Sequence, residues 1–295
     1  MPVSFQEIDA KPPRFELPTL NFELAYDRPV SLQSLHGRVV AITGASAGIG
    51  RACAERCASE GAAVVLSARR ADRLHEVAAA ITAGGGRALV VPGDVTSEAD
   101  MRTLVDRAVA TFGQLDVMIA NAGIGFHGSL GETTAEVMRR LIDVNVMGTY
   151  YAARAAHEAF VKQQTGHLIV ISSIAGRRGV AGTAAYSATK AAQIGFVESL
   201  RAEYAGTNIH ASLVYPVSTP TEFHDVMQQN FGHAVRGVGP KQTAADVARA
   251  IADCIVSPTP EVYPYRRAWL LALVSVAAPG LADRLVQKYG RRRPA

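Results

Sequence analysis

The sequence predicts an α/β fold, a Rossmann-type doubly wound parallel sheet of about seven strands in a single domain. Three observations predict it. From Arg38 onward, short β-rich apolar runs alternate with longer Ala-rich segments, the pattern that βαβ units impose. The apolar runs are nearly continuous, as strands buried on both faces are. A glycine cluster follows the first run directly, where a strand would turn into a helix.

Taken in order, residues 1–36 stand outside the alternation, and their prolines and scattered aromatics predict an extended arm lying on the body or on a neighbouring subunit. The first strand is "RVVAITG", and the helix opened by the glycine cluster ends near Gly61. Strands follow at "AAVVLSA", "RALVVPG", "LDVMIANAG", "HLIVISS", "IHASLVYP" and, with the weakest pattern, "EVYPY". Right-handed crossovers between them place ligands at the carboxyl ends of the strands. The expected parse is an arm over 1–36, a catalytic domain over 37–265 containing a substrate flap at 222–245, and a basic, apolar appendage over 266–295.

Composition fits a globular protein. Hydrophobic residues make up 48% of the 295 and charged residues 19%, enough for a large buried core. Cys53, Cys57 and Cys254 are an odd set without metal-ligand clustering, which points to packing in a reducing compartment rather than to disulfides or zinc. The opening "MPVSFQEIDAKPPRFELPTL" lacks the apolar core of a signal peptide, so the expected location is cytoplasmic. The net charge of +4 is uneven: residues 266–295 hold seven basic residues and one acid, +6 in all, leaving −2 elsewhere. Basicity confined to a tail argues against a nucleic-acid-binding domain.

In "TGASAGIG", Gly44, Ser46, Gly48, Ile49 and Gly50 form the turn into the first helix. Glycines there let the backbone bring a pyrophosphate against the helix N-terminus, where free N–H groups attract anions. The turn therefore predicts a dinucleotide site.

The spacing Gly-x3-Gly-x-Gly, followed in order by "GDV" at Gly93 to Val95, "NAG" at Asn121 to Gly123, Asn145, Ser173 and "YSATK" at Tyr186 to Lys190, resembles the short-chain dehydrogenase/reductase family over roughly Gly37 to Thr221. Within it, the chain looks like an NADP-preferring carbonyl reductase or hydroxysteroid-dehydrogenase-like member. The resemblance implies that Asp94 and Val95 border the adenine and that Asn121, Ala122 and Gly123 line the cofactor cleft. It implies Tyr186 as general acid/base, Lys190 as the group that lowers its pKa and holds the cofactor ribose, Ser173 as the residue orienting the carbonyl, and Asn145 as the anchor of a proton-relay water. It also implies a homodimer or homotetramer formed through the helices carrying Asn145 and Tyr186. After the sixth strand, "YPVSTPTEF" keeps the family's Pro216 and Thr221 as cofactor contacts but has Val217 where a glycine is usual.

Residue chemistry supports these assignments. Tyr186 and Lys190 lie four apart and so share one helix face. A phenol with a pKa of roughly 10 becomes a usable base when an ammonium favours its phenolate. At the end of the second strand, "VVLSARR" lacks the acid that would bind an adenosine ribose and repel a 2′-phosphate. Arg69, with Ser46, is expected to clamp that phosphate, with Arg70 solvated, so NADP(H) is the expected cofactor. No metal is called for. The expected activity interconverts an apolar ketone or aldehyde and its alcohol; a non-catalytic NADP sensor and an isomerase or dehydratase on the same fold are the alternatives.

The substrate end is read from Phe223, Met227 and Phe231, spaced by four along the flap, with Phe126 and His127 within reach of the same pocket. "AWLLALVSVAA", Ala268 to Ala278, is too short for the ~20 residues that span a bilayer. Packing within the chain or on another subunit is preferred there over contact with a membrane surface.

Overall fold

The computed structural model describes residues 35–223, 227 and 241–290. Seven strands are present: β1 (Val39–Thr43), β2 (Ala63–Ser67), β3 (Arg87–Val90), β4 (Val117–Ala120), β5 (Gly166–Ile171), β6 (Ile209–Val214) and β7 (Glu261–Val262). All neighbours pair in parallel, in the order β3-β2-β1-β4-β5-β6-β7. The order reverses beside β1 and β4, so the carboxyl ends of these strands form the crevice of a doubly wound sheet.

The helices are α1 (Gly48–Ser59), α2 (Ala71–Ala83), α3 (Glu98–Phe112), α4 (Ala135–Leu141), α5 (Gly148–Gln163), α6 (Ile174–Arg177), α7 (Ala184–Glu203), α8 (Ala244–Val256), α9 (Ala268–Ala277) and α10 (Pro279–Gly290). They cover both faces, and the pleat assigns the core accordingly. Val40, Ile42, Val64 and Leu66 face α1, α2 and α8 together with Cys53, Cys57 and Ile251. Val39, Ala41, Val65 and Met118 face the opposite layer with Leu104, Phe160 and Val197. Each Val, Leu, Ile, Met or Phe among them, fully buried, contributes about 1.5 to 3 kcal/mol, and two faces of this kind explain why the strands read as unbroken apolar runs.

Three features differ from the sequence reading. The last strand shrinks from five residues to Glu261–Val262, because Pro260 and Pro264 cannot donate to a ladder. One turn, Ile142–Met147, is π-helical and joins α4 to α5. The expected flap ends early, since Thr243 caps α8 through a hydrogen bond from Asp246 N. Most of the flap, with Phe231, and most of the N-terminal arm lie outside the described residues.

Candidate active site

The turn between β1 and α1 closes only because of its glycines. Gly44 adopts φ +67°, and a Cβ there would lie 2.9 Å from both Ala122 Cα and Asn121 Nδ2. At Gly50 a Cβ would come within 2.3 Å of the Gly44 carbonyl oxygen. The loop is then tied to the end of β4: Asn121 Nδ2 donates to the carbonyls of Thr43 and Gly44 at 2.9 and 3.2 Å, and Thr43 Oγ1 accepts from the amides of Asn121 and Ala122 at 3.0 and 3.1 Å. Thr221 Cβ would sit 3.1 Å from a Cβ at Gly48, and Ile49 packs on the core below. Thus Thr221 meets the glycine loop although Val217 replaces the usual glycine. Val217 needs no left-handed backbone, since Gln164 is the one non-glycine residue with positive φ among those described. Pro216 is buried, and its carbonyl accepts from Ile174 N at 3.2 Å.

These residues fit a dinucleotide. Ala47 at the start of α1 supplies no side-chain cap, whereas Ser97 and Thr243 cap α3 and α8. The first N–H groups of α1 are therefore left for an anion. Farther along the crevice, Gly123 keeps the backbone bare beside Asn145 Oδ1 and Lys190 Nζ, which a Cβ would approach to 3.1 and 3.6 Å. Val95 packs against Gly148, while Asp94 is held in a local turn by Thr96, whose N and Oγ1 donate to its carboxylate at 3.0 and 2.9 Å.

At the end of β2 the arginines take different places from those expected. Arg70, rather than Arg69, lies beside the glycine loop: its guanidinium donates to Ser46 Oγ at 3.1 Å and to Glu222 at 3.0 Å. Arg69 faces a cleft of about 580 Å³ that it shares with Asp94, Arg139, Arg140 and Tyr151. The reading of Arg70 as merely solvated is thus corrected. Successive residues leaving a strand point to opposite sides, so only one of the pair can reach Ser46.

The Ser173, Tyr186 and Lys190 side chains converge at the carboxyl end of β5. Ser173 caps α6, its hydroxyl accepting from Ala175 N at 3.2 Å, and it lies near enough to the Tyr186 phenol to lower its pKa. Lys190, one turn along α7, is buried with Nζ 5.9 Å from the Tyr186 ring centroid. Its ammonium donates to the Ile171 carbonyl at 2.8 Å and to Gln193 Oε1 at 3.1 Å. Burial pushes the Tyr186 phenol up to about 12, with neighbouring Ser173 pulling the other way, and pushes Lys190 down to about 7. The expected lowering of the tyrosine by the lysine is therefore not what this arrangement produces. Desolvation outweighs an ammonium that spends its donors on other oxygens.

Asn145, on the π-turn, is fully buried. Its side chain accepts from Ile124 N at 2.8 Å and donates to Ile124 O at 2.9 Å and to Thr189 Oγ1 at 3.0 Å. The amide thereby locks the "NAG" loop to α7. Its main-chain carbonyl accepts from Gln193 Nε2 and Thr149 Oγ1, both at 2.8 Å. Gln193 was not singled out in the sequence, although its position three residues after Lys190 puts it on the same helix face. Ser172 is buried and donates to the Lys190 carbonyl at 3.0 Å, which staples β5 to α7.

Phe223 stands at the mouth, its ring centroid 6.2 Å from that of Tyr186, and together with Met227 it crowds Gly125. His127 lies against Gly182 on the approach to α7, and Phe126 is buried in a small cluster with Leu141 and Ala185. Among the described residues no group of three or more His, Cys, Asp or Glu gathers as a metal site.

A doubly wound sheet with this loop and this Ser-Tyr-Lys cluster defines a nicotinamide-dinucleotide oxidoreductase. The chain belongs to the short-chain dehydrogenase family, whose pattern it matches over residues 38–231. It is 36% identical over 227 residues to an uncharacterised oxidoreductase of Listeria innocua, covering 74% of this chain and 92% of that protein. A short-chain dehydrogenase/reductase of Burkholderia phymatum, solved in complex with NAD, superposes with a TM-score of 0.76 at 26% identity, covering 89% of this chain and 99% of that one. One from Burkholderia cenocepacia, in complex with NADP, gives a TM-score of 0.67 at 30% identity, covering 77% and 96%.

Proposed function

We propose that the protein is an NADP(H)-dependent carbonyl reductase or alcohol dehydrogenase that interconverts an apolar ketone or aldehyde and its alcohol. The observation that carries this reading is the buried Lys190 ammonium 5.9 Å from the Tyr186 ring centroid, next to a glycine loop built for a pyrophosphate. When bound, the nicotinamide supplies or accepts the hydride. Tyr186, protonated at neutral pH, donates its phenolic proton to the oxygen of the carbonyl being reduced. Ser173 holds that oxygen by a hydrogen bond and stabilises the charge developing on it. Lys190 donates to the nicotinamide ribose and, when charged, eases the return of the proton in the oxidative direction. Asn145 fixes the loop on which Gly123 stands.

NADP(H) is favoured because Ala68, Arg69 and Arg70 bring no acid to the end of β2, while Ser46 and Arg70 already face each other. Phe223 and Met227 support an apolar substrate. Three buried free thiols support a reducing, cytoplasmic setting, and a homodimer or homotetramer is the proposed assembly. The test is a panel of apolar ketones and aldehydes assayed with NADPH. Carbonyl-dependent NADPH oxidation is expected; product formed with no net change in the nicotinamide would point to an isomerase or dehydratase, and no turnover of any carbonyl would remove the reading.

A further inference from the structure

The C-terminal helices form a hairpin, with the Leu281 and Ala282 amides both bonded to the Ala278 carbonyl at 3.0 and 3.1 Å. The hairpin is rooted on the segment that follows Ser173. Helix α9 packs against α6, and Arg178 donates to the Pro279 carbonyl at 2.9 Å and pairs with Asp283. Ala268, Ala282 and Val286 are its buried residues.

Its other face is apolar and exposed. Trp269, Leu270, Leu273, Val276, Leu281 and Leu285 are six of the ten large hydrophobic side chains exposed among the described residues, so the exposure is a patch rather than scatter. Trp269, Leu273 and Val276 follow one another at i, i+4 and i+7 on a single side of α9, and Val276 is 83% exposed. Arg266 and Arg267 precede the patch, and Arg284, Lys288 and Arg291 to Arg293 follow it; the one acid, Asp283, is engaged by Arg178. No described helix is long and apolar enough to cross a membrane. An apolar strip flanked in the sequence by cations suits the plane of an anionic bilayer, with hydrophobic side chains at the acyl boundary and cationic groups at the phosphates. A second copy is the poorer occupant, because joining two such faces would bring like charges together.

We propose that the α9–α10 hairpin is a docking element for an anionic phospholipid surface. This goes beyond the catalytic reading and does not depend on it.

Trp269 is the only tryptophan of the chain, so intrinsic emission reports on α9 alone. The full chain is mixed with vesicles of phosphatidylcholine, with and without phosphatidylglycerol, and followed by flotation and tryptophan emission. Flotation and a blue shift are expected on the phosphatidylglycerol vesicles, declining as salt is raised. Each basic residue near the surface contributes about fivefold, so an R266Q/R267Q/R284Q variant should bind them on the order of 100-fold more weakly. L273E/V276E should abolish the blue shift. Equal binding to both compositions, or no vesicle-dependent change in the wild-type chain, would overturn the proposal. It is equally overturned if Trp269 is already shielded without vesicles, or if L273E/V276E instead lowers the mass of the assembly, since another part of the chain or a second copy would then cover the patch.

Discussion

Gln193 donates its side-chain amide to the Asn145 carbonyl at 2.8 Å while accepting the Lys190 ammonium at 3.1 Å, so one buried side chain joins the π-turn to the proposed lysine of the site. Gln193→Leu keeps the volume but removes an acceptor from a buried ammonium, which costs roughly 1.5 to 3 kcal/mol. Turnover should fall about 10-fold or more. Losing that acceptor disfavours the charged lysine further, so the alkaline loss of activity should move to lower pH. Gln193→Glu should restore a partner for Lys190. An unshifted pH profile with only a lower melting temperature would reduce Gln193 to packing.

Cofactor preference should divide between the two arginines. Arg70→Ala removes the group beside Ser46 and should weaken NADPH by about 10- to 150-fold, the range of one charge-assisted hydrogen bond, leaving NADH nearly unaffected. Arg69→Ala should have the smaller effect, because Arg69 faces the cleft beside Asp94 instead. Ala68→Asp should shift preference toward NADH by repelling the 2′-phosphate. Dissociation constants for both cofactors, at low and high salt, check the ranking; a wild-type preference for NADH would contradict it.

Acid should destabilise the fold through His167. The ring is buried between β4 and β6, with Nε2 2.8 Å from Ser212 Oγ, and burial pushes it down to about 3. A folded pKa below the unfolded value of about 6.5 means that this stability is complete above pH ~6.5 and is lost as pH falls toward ~3. The loss amounts to at most about 5 kcal/mol. Denaturant midpoints measured across this window should fall more steeply for wild type than for His167→Gln, and parallel curves would assign the acid sensitivity elsewhere.

The pH dependence of catalysis should differ between directions. With Tyr186 pushed up to about 12, the phenol is protonated throughout the neutral range. Proton donation by Tyr186 should therefore not limit carbonyl reduction there, so its pH dependence should follow the loss of the Lys190 charge alone, whereas alcohol oxidation, which needs the phenolate, should gain a rising component as pH increases. Initial rates in both directions at saturating cofactor decide it.

The sheet was legible because unbroken apolar runs such as "VVAIT" have few other uses, and the convergence of Ser173, Tyr186 and Lys190 was legible because their spacing is tied to a strand end and one helix face. What was not legible depends on crowding between distant segments. Nothing in "VVLSARR" says that Glu222, 152 residues on from Arg70, will draw that arginine toward Ser46. The lysine's effect on Tyr186 was misjudged because a spacing of four shows neighbourhood but not desolvation, nor that the Ile171 carbonyl and Gln193 will take the ammonium. The apolar strip of α9 was expected to pack within the chain or on another subunit; in the single chain it stays exposed, since a sequence shows a hydrophobic face but not whether the body still has room to cover it.

The most direct test of the central claim is single-turnover reduction of a responsive carbonyl by NADPH in wild type and Tyr186→Phe, alongside NADPH binding to each. The substitution keeps the ring against Phe223 and removes only the proton donor. The account predicts a fall in the chemical step of at least ~100-fold with the NADPH dissociation constant little changed. A near-normal chemical step in Tyr186→Phe would contradict it.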